Sequence, residues 1–182
     1  QYIMNGGRVL WCIDEVDVEE ELLRQQEMIW ASYRPLNIED MLFKYGVRIN
    51  PELILDGNSV LIPVITGMRG TTPDYSPGPW YYSPLLFSGE QHPITAGLHP
   101  VRVDYANSID TVGGNSGLKK TVLLSTSRYT AAIKTPAPVS LSITEEKMTP
   151  EKFNRRFLPV AVAIEGNFSS LFQYRNMQGI IK

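Results

Sequence analysis

Thiols and imidazoles are scarce in this chain: one cysteine, Cys12, and two histidines, His92 and His99, among 182 residues. A single cysteine excludes an internal disulfide and any multi-thiolate metal site. Neither sign of charge dominates. Seventeen basic residues stand against nineteen acidic ones, a formal −2, which removes the electrostatic case for nucleic acid or an anionic membrane surface as partner. Long apolar runs are missing too. Val160–Ile164, among the longest, is strand length and far below the roughly 20 residues a helix needs to cross a bilayer. No repeats or low-complexity tracts occur, and no signal peptide opens the chain. Because it starts on Gln1, that last absence leaves the compartment open.

What is present suits one domain, residues 1–182, with 43% hydrophobic and 20% charged content and enough length to bury a core. Gly6-Gly7 feeds the apolar run Val9–Ile13, which stops on Asp14 and reads as a strand buried in an α/β sheet. The lead-in before it reads as the last turn of a helix with a left-handed glycine exit. A buried strand needs neighbours on both sides, so the chain is expected to be the C-terminal portion of a larger domain. If missing strands complete its sheet elsewhere, an exposed edge here leaves a homo-oligomer open.

Beyond Asp14, the spacing of Val18, Leu22, Ile29 and Tyr33 predicts a helix behind an acidic first turn. Ile38, Met41, Leu42 and Tyr45 predict a second, with Asn37 as its cap, Asp40 in a box-like position, Gly46 closing it and Val47–Ile49 leaving as a strand. Leu53–Leu55 and Val60–Thr66 read as strands joined by Asp56-Gly57-Asn58-Ser59. Residues 67–84, dense in glycine and proline, read as a long irregular loop. Leu85–Phe87, alternating Val101–Tyr105, Thr121–Ser125, Ala137–Ile143 and Pro159–Glu165 read as further strands, and Thr149-Pro150-Glu151 as a helix start. The fold class is α/β: a mixed, strand-rich sheet with few helices.

Several residues could carry chemistry, each with a plainer alternative. Asp14, Glu15 and Asp17 sit where the first strand is expected to end, the edge where open α/β sheets bind ligands. Carboxylates there could hold a divalent cation for a metal-dependent hydrolase, or form a solvated acidic loop. Cys12 with His92 or His99 could pair thiol and imidazole, yet Cys12 reads as buried in a strand and both histidines precede proline as turn punctuation. Gly113–Thr121 imitates a phosphate loop but has the wrong spacing and leads into a strand. Ser125-Thr126-Ser127 lacks a Gly-x-Ser-x-Gly elbow, and short polar residues at a strand end usually satisfy backbone groups. Trp80, Tyr81 and Tyr82 in the proline-rich stretch could anchor a partner, stack on a sugar, or fold back onto the core.

Taken together, Gly6–Asp14 (GGRVLWCID), Leu36–Asp56 (LNIEDMLFKYGVRINPELILD), His92–Leu98 (HPITAGL) and Pro159–Phe172 (PVAVAIEGNFSSLF) resemble one family. It is the soluble region of the gliding-motility-associated ABC-transporter auxiliary proteins (GldG-like) of Bacteroidetes-type bacteria. The likeness spans nearly the whole chain, with Leu36–Asp56 its most specific block. It implies an extracytoplasmic, periplasmic domain, anchored by membrane segments outside this sequence and accompanying an ABC transporter permease and ATPase. Such proteins are often described as substrate-binding components. The resemblance also implies a fold like part of the class I glutamine-amidotransferase (flavodoxin-like) fold, where a Gly-Gly element and a His-Pro-Ile-Thr-x-Gly-Leu segment recur. The amidotransferase nucleophile elbow is not found here. No catalytic motif, and no cofactor, carries over.

Three functions therefore compete, with a non-enzymatic transporter accessory foremost. An interaction module requires an apolar or aromatic surface patch, with Trp80–Tyr82 the first candidate. A glycan- or solute-binding module requires a concave site with convergent polar groups. A hydrolase requires a cleft at the strand end near Asp14.

Overall fold

The computed structural model describes residues 2–89, 92–113 and 117–173. It is strand-rich with few helices. The strands are β1 (Val16–Asp17), β2 (Met28–Tyr33), β3 (Val47–Ile49), β4 (Glu52–Asp56), β5 (Ser59–Arg69) and β6 (Thr72–Leu86). They continue as β7 (Val101–Arg102), β8 (Ile109–Thr111), β9 (Leu118–Ser125), β10 (Thr130–Lys134), β11 (Ala137–Ser140) and β12 (Pro159–Gly166). One α-helix, α1 (Glu39–Lys44), and two 3-10 turns, Glu20–Arg24 and Leu141–Glu145, complete the elements. The pairing orders are β1-β2-β11, β10-β4, β12-β9, β3-β8 and β5-β6-β7. Where a mixed sheet was expected, every strand pairing among the described residues is antiparallel.

β4 is the centre. Leu53, Ile54 and Leu55 are fully buried, so both faces of this strand are covered and its apolar run is unbroken. One edge pairs with β10, and on the other the Ile54 N–H donates to the Ala106 carbonyl at 3.0 Å. Glu52, at the strand start, is gripped by the following segment. Asn107 Nδ2 donates to its carbonyl at 2.7 Å, and the Ser108 hydroxyl donates to its carboxyl.

At the other end of β4 lies Asp56, also fully buried. Its Oδ1 accepts the Asn58 N–H at 2.7 Å, while Oδ2 accepts the Ser127 N–H at 2.8 Å and the Thr130 hydroxyl at 2.7 Å. Thr126 Oγ1 lies 2.9 Å from Thr130 Oγ1 and accepts the Leu158 N–H at 2.8 Å. The Ser125–Ser127 segment thus satisfies buried backbone groups, as its composition implied.

Five local expectations are corrected. Val9–Ile13 is not a strand: Leu10 is 88% exposed, and no partner among the described residues pairs with the run. Its glycine lead-in is a turn, closed by Gly7 N–H to Tyr2 carbonyl and Gly6 N–H to Ile3 carbonyl bonds, with Gly6 at φ 84°. That is the bond pattern of a left-handed helix exit. The helix expected across Val18–Tyr33 divides into a 3-10 turn and β2. In β2, burial alternates with period two, Ile29 and Ala31 inward, Met28 and Trp30 outward. Thr149-Pro150-Glu151 opens a turn only, and Ala137–Ile143 ends as a strand at Ser140.

The fifth correction is the largest. Residues 67–84 are not an irregular loop; with β5 they form a long hairpin whose turn is Gly70-Thr71, Gly70 at φ 68°. Proline lacks an N–H donor, but in a two-stranded ribbon every second N–H points away from the partner and needs none. Pro63 faces Pro77 directly, a position only a non-hydrogen-bonded pair allows. Pro73, Pro77 and Pro79 alternate along one strand accordingly.

α1 runs where its apolar spacing predicted, but its cap differs. Asn37 adopts φ 59° and does not cap. Instead the Glu39 carboxylate accepts the N–H groups of Leu36 (3.2 Å) and Asn37 (3.3 Å), and the Tyr33 hydroxyl at 3.2 Å. Its own backbone N–H first, and then these bonds, hold the Glu39 carboxyl below the usual carboxylate range against the opposing effect of desolvation. Gly46, at φ 88°, closes the helix as expected.

Candidate functional site

The acidic stretch is positioned by backbone. The Glu15 N–H donates to Asn107 Oδ1 at 3.1 Å, and its carbonyl accepts the Arg34 N–H at 2.8 Å, extending the β1–β2 ladder. Val16 points into the core, so Asp17 points out, directly opposite Ser32. Asp14 is exposed, with its carbonyl accepting from the Arg34 guanidinium at 3.3 Å. Desolvation raises the Asp14 carboxyl above the usual range; Arg34 opposes this and Asp17 adds to it. Burial likewise raises Glu15, helped by the nearby Glu39 charge. Among the described residues no strand precedes Asp14, so the expected strand end is not there; Asp17 lies in the two-residue β1 at a sheet edge. Among the described residues no three of His, Cys, Asp or Glu converge as metal ligands.

The Glu15 shift has a consequence for stability. Its folded pKa lies above its unfolded one, so between the two the folded chain holds the extra proton and stability falls as pH rises. Above the folded pKa the cost is complete. Glu15→Gln is therefore expected to gain stability relative to the parent on going from pH 4 to pH 7, measured by paired thermal melts. A pH-independent difference would contradict the burial argument.

The thiol–imidazole pair is not supported by placement. Cys12 is exposed, against the buried position expected, because its run is not a strand. His92 Nδ1 accepts the Ile94 N–H at 3.2 Å and its carbonyl accepts the Thr95 N–H at 2.9 Å, which is the turn role its proline implied. Of the loop resembling a phosphate cradle, Gly114, Asn115 and Ser116 lie outside the described residues; Leu118 begins β9.

Trp80, Tyr81 and Tyr82 are core residues, 3%, 5% and 3% exposed, and so do not form a surface patch. Trp80 and Tyr82 meet edge to face at 5.0 Å, and Tyr81 meets Phe153 at 5.3 Å from the opposite face of β6. The Tyr82 hydroxyl donates to the Pro138 carbonyl and that of Tyr81 to the Glu146 carbonyl, both at 3.1 Å. Burial pushes the Tyr82 hydroxyl up to about 12. Both hydroxyls are thus satisfied in place, as buried tyrosines require.

The exposed apolar patch lies next to them, on the outer side of the same hairpin. Register places Leu61 opposite Pro79, Pro63 opposite Pro77 and Ile65 opposite Tyr75. These alternate residues share one face. Leu61 is 63% exposed, Ile65 and Tyr75 59% each. The opposite face carries Val60 and Ile62, packed against the core, and Gly78, where an added Cβ would collide with Val64. The ribbon therefore has two apolar faces and only one is covered. An open cleft of about 340 Å³ runs beside it, lined by residues including Val64, Ser76, Gly78, Thr144 and Glu145. A hairpin with apolar residues on both faces was hidden from sequence reasoning by the loop assignment; strict pairing of Leu61, Pro63 and Ile65 at alternate positions was the available signal.

Comparison with protein families matches residues 1–179 to the family described as an ABC-type uncharacterized transport system, an auxiliary component. Neither the curated proteins nor the solved structures gave a match.

Proposed function

Because the chain belongs to this family of ABC-type transport system auxiliary components, we propose that it is a non-enzymatic accessory domain working through protein contacts. In this reading it lies on the extracytoplasmic (periplasmic) side, held by membrane anchors outside this sequence. It engages the permease and, through it, the ATPase of a transporter associated with gliding motility, as in GldG-like proteins. The observation that supports a docking role is the outer face of the β5–β6 ribbon. Leu61, Pro63, Ile65, Tyr75 and Pro77 form a continuous apolar strip whose neighbours on the other face already fill the core. Exposed contiguous apolar surface of this kind marks interaction sites in stable proteins.

The test is co-purification with the transporter's membrane subunits. Ile65→Glu and Tyr75→Lys are expected to reduce capture at least about tenfold, the effect of losing a contact residue near the centre of an interface. Both positions are exposed, so melting temperature should hold. Undiminished capture by both variants would contradict this docking face.

A further inference from the structure

We propose that the outer face of the β1-β2-β11 sheet docks a basic segment of a protein partner, with a lysine or arginine side chain seated against Trp30 in the cleft it shares with Asp17 and Glu19. The inference rests on reading this domain as a protein-binding component, but concerns a different surface from the ribbon. Register assembles that face from Asp17 beside Ser32, Trp30 beside Pro138, and Met28 beside Ser140, while Val16, Ile29, Ala31, Ala137 and Val139 face inward and fill the core. Trp30 is 55% exposed and Met28 45%. The cleft holds about 270 Å³, with Asp17 and Glu19, Leu22, Gln26 and Ser32 around Trp30.

Charge complementarity selects the occupant. Seven of the residues from Asp14 to Glu27 are acidic and one, Arg24, is basic, leaving sixteen basic against twelve acidic residues elsewhere in the chain. The acid excess is thus local to the segment that supplies the cleft's Asp17 and Glu19. No ion pair among the described residues uses Asp17 or Glu19. An exposed indole flanked by free carboxylates attracts a cation twice, through the ring quadrupole and through Coulomb attraction. A guanidinium or ammonium on an alkyl stem also covers apolar surface, which suits Leu22 and Met28.

The experiment titrates the whole chain with a short fluorescein-labelled peptide of alternating lysine and glycine at low salt, read by anisotropy, with a glutamate–glycine peptide as control. Saturable binding of the basic peptide alone is expected. Trp30→Thr should weaken it about tenfold, and the double change Asp17→Asn with Glu19→Gln should weaken it further and flatten its salt dependence. Should Trp30→Thr not fold, Trp30→Leu and the double variant carry the same test. Absence of binding by the parent protein, or binding that ignores both substitutions, would overturn the site. So would Trp30-dependent self-association in sedimentation, which assigns the face to a second copy, or a Trp30-dependent thermal shift with neutral oligosaccharides, which assigns it to glycan. Loss of basic-peptide binding on Trp30→Thr with capture of the transporter's subunits intact supports this site and separates it from the ribbon, whereas failure of the ribbon variants to reduce capture bears on the accessory reading alone.

Discussion

Asp56→Ala is expected to lower the melting temperature by about 4–8 °C, and to shift the denaturant midpoint without altering its slope. The carboxyl accepts three donors, from Asn58, Ser127 and Thr130, and is fully buried. Alanine removes every acceptor and strands the buried Ser127 N–H; the Asn58 N–H loses its part-buried turn partner, while the Thr130 hydroxyl keeps the Ser127 carbonyl at 2.9 Å. A stranded buried donor costs about 1–3 kcal/mol and each further lost bond about 0.5–1.5 kcal/mol, so the sum is at least about 2 kcal/mol. The damage is also topological. Asp56 belongs to β4, Ser127 precedes β10, and Thr126 ties the same knot to Leu158 ahead of β12. Asp56→Asn is no rescue, because its amide presents donors to at least one of the N–H groups the two oxygens now serve. A melting temperature within a degree or two of the parent's would show that water replaces these bonds and the network is not structural.

Trp80→Ala should destabilise the domain by about 3–5 kcal/mol, the range for deleting a buried aromatic. Trp80 packs edge to face on Tyr82, and that ring stacks obliquely on Tyr105 at 6.1 Å. The cavity therefore opens in the middle of an aromatic column that cannot collapse without moving β6. Leu61→Ala, one ladder position away at the register of Pro79, should change stability by less than about 0.5 kcal/mol. Urea unfolding of the two variants makes the comparison. The reverse ranking would mean that the ribbon faces are assigned the wrong way round, and would return Trp80 to the surface as a docking residue.

How much of this the sequence displays depends on whether local pattern and final environment agree. Leu53–Leu55 is plain because a continuous apolar run bounded by Pro51 and Asp56-Gly57-Asn58 has few alternatives. The α1 pattern of Ile38, Met41, Leu42 and Tyr45 is equally direct. Its cap is less so, since a backbone N–H donates to a Glu39 oxygen as readily as to one of Asn37. Met28–Tyr33 misleads for another reason: Ile29 and Tyr33 happen to continue a helical spacing begun by Val18 and Leu22, across the chain reversal after Gln25. Residues 67–84 mislead most, as proline density normally reports the absence of a ladder, and only the pairing partner shows which N–H groups are surplus. The Asp56 network is invisible because Ser127 and Thr130 lie some 70 positions from it, whereas the Ser127 hydroxyl, which accepts the Tyr129 N–H at 2.9 Å, does satisfy a local backbone group as its composition implies. The outward Trp30 was not legible while its segment was read as helix.

The run of imino acids along the hairpin also restricts how this molecule can assemble. Each strand margin lacks hydrogen at Pro63, Pro73, Pro77 and Pro79, so a further strand cannot be laid alongside and extended copy after copy, as fibrillar growth demands. A protein that bares an oily ribbon to solvent thereby keeps its attachments flat-on and finite. Crowding through this ribbon would then yield discrete complexes rather than polymer.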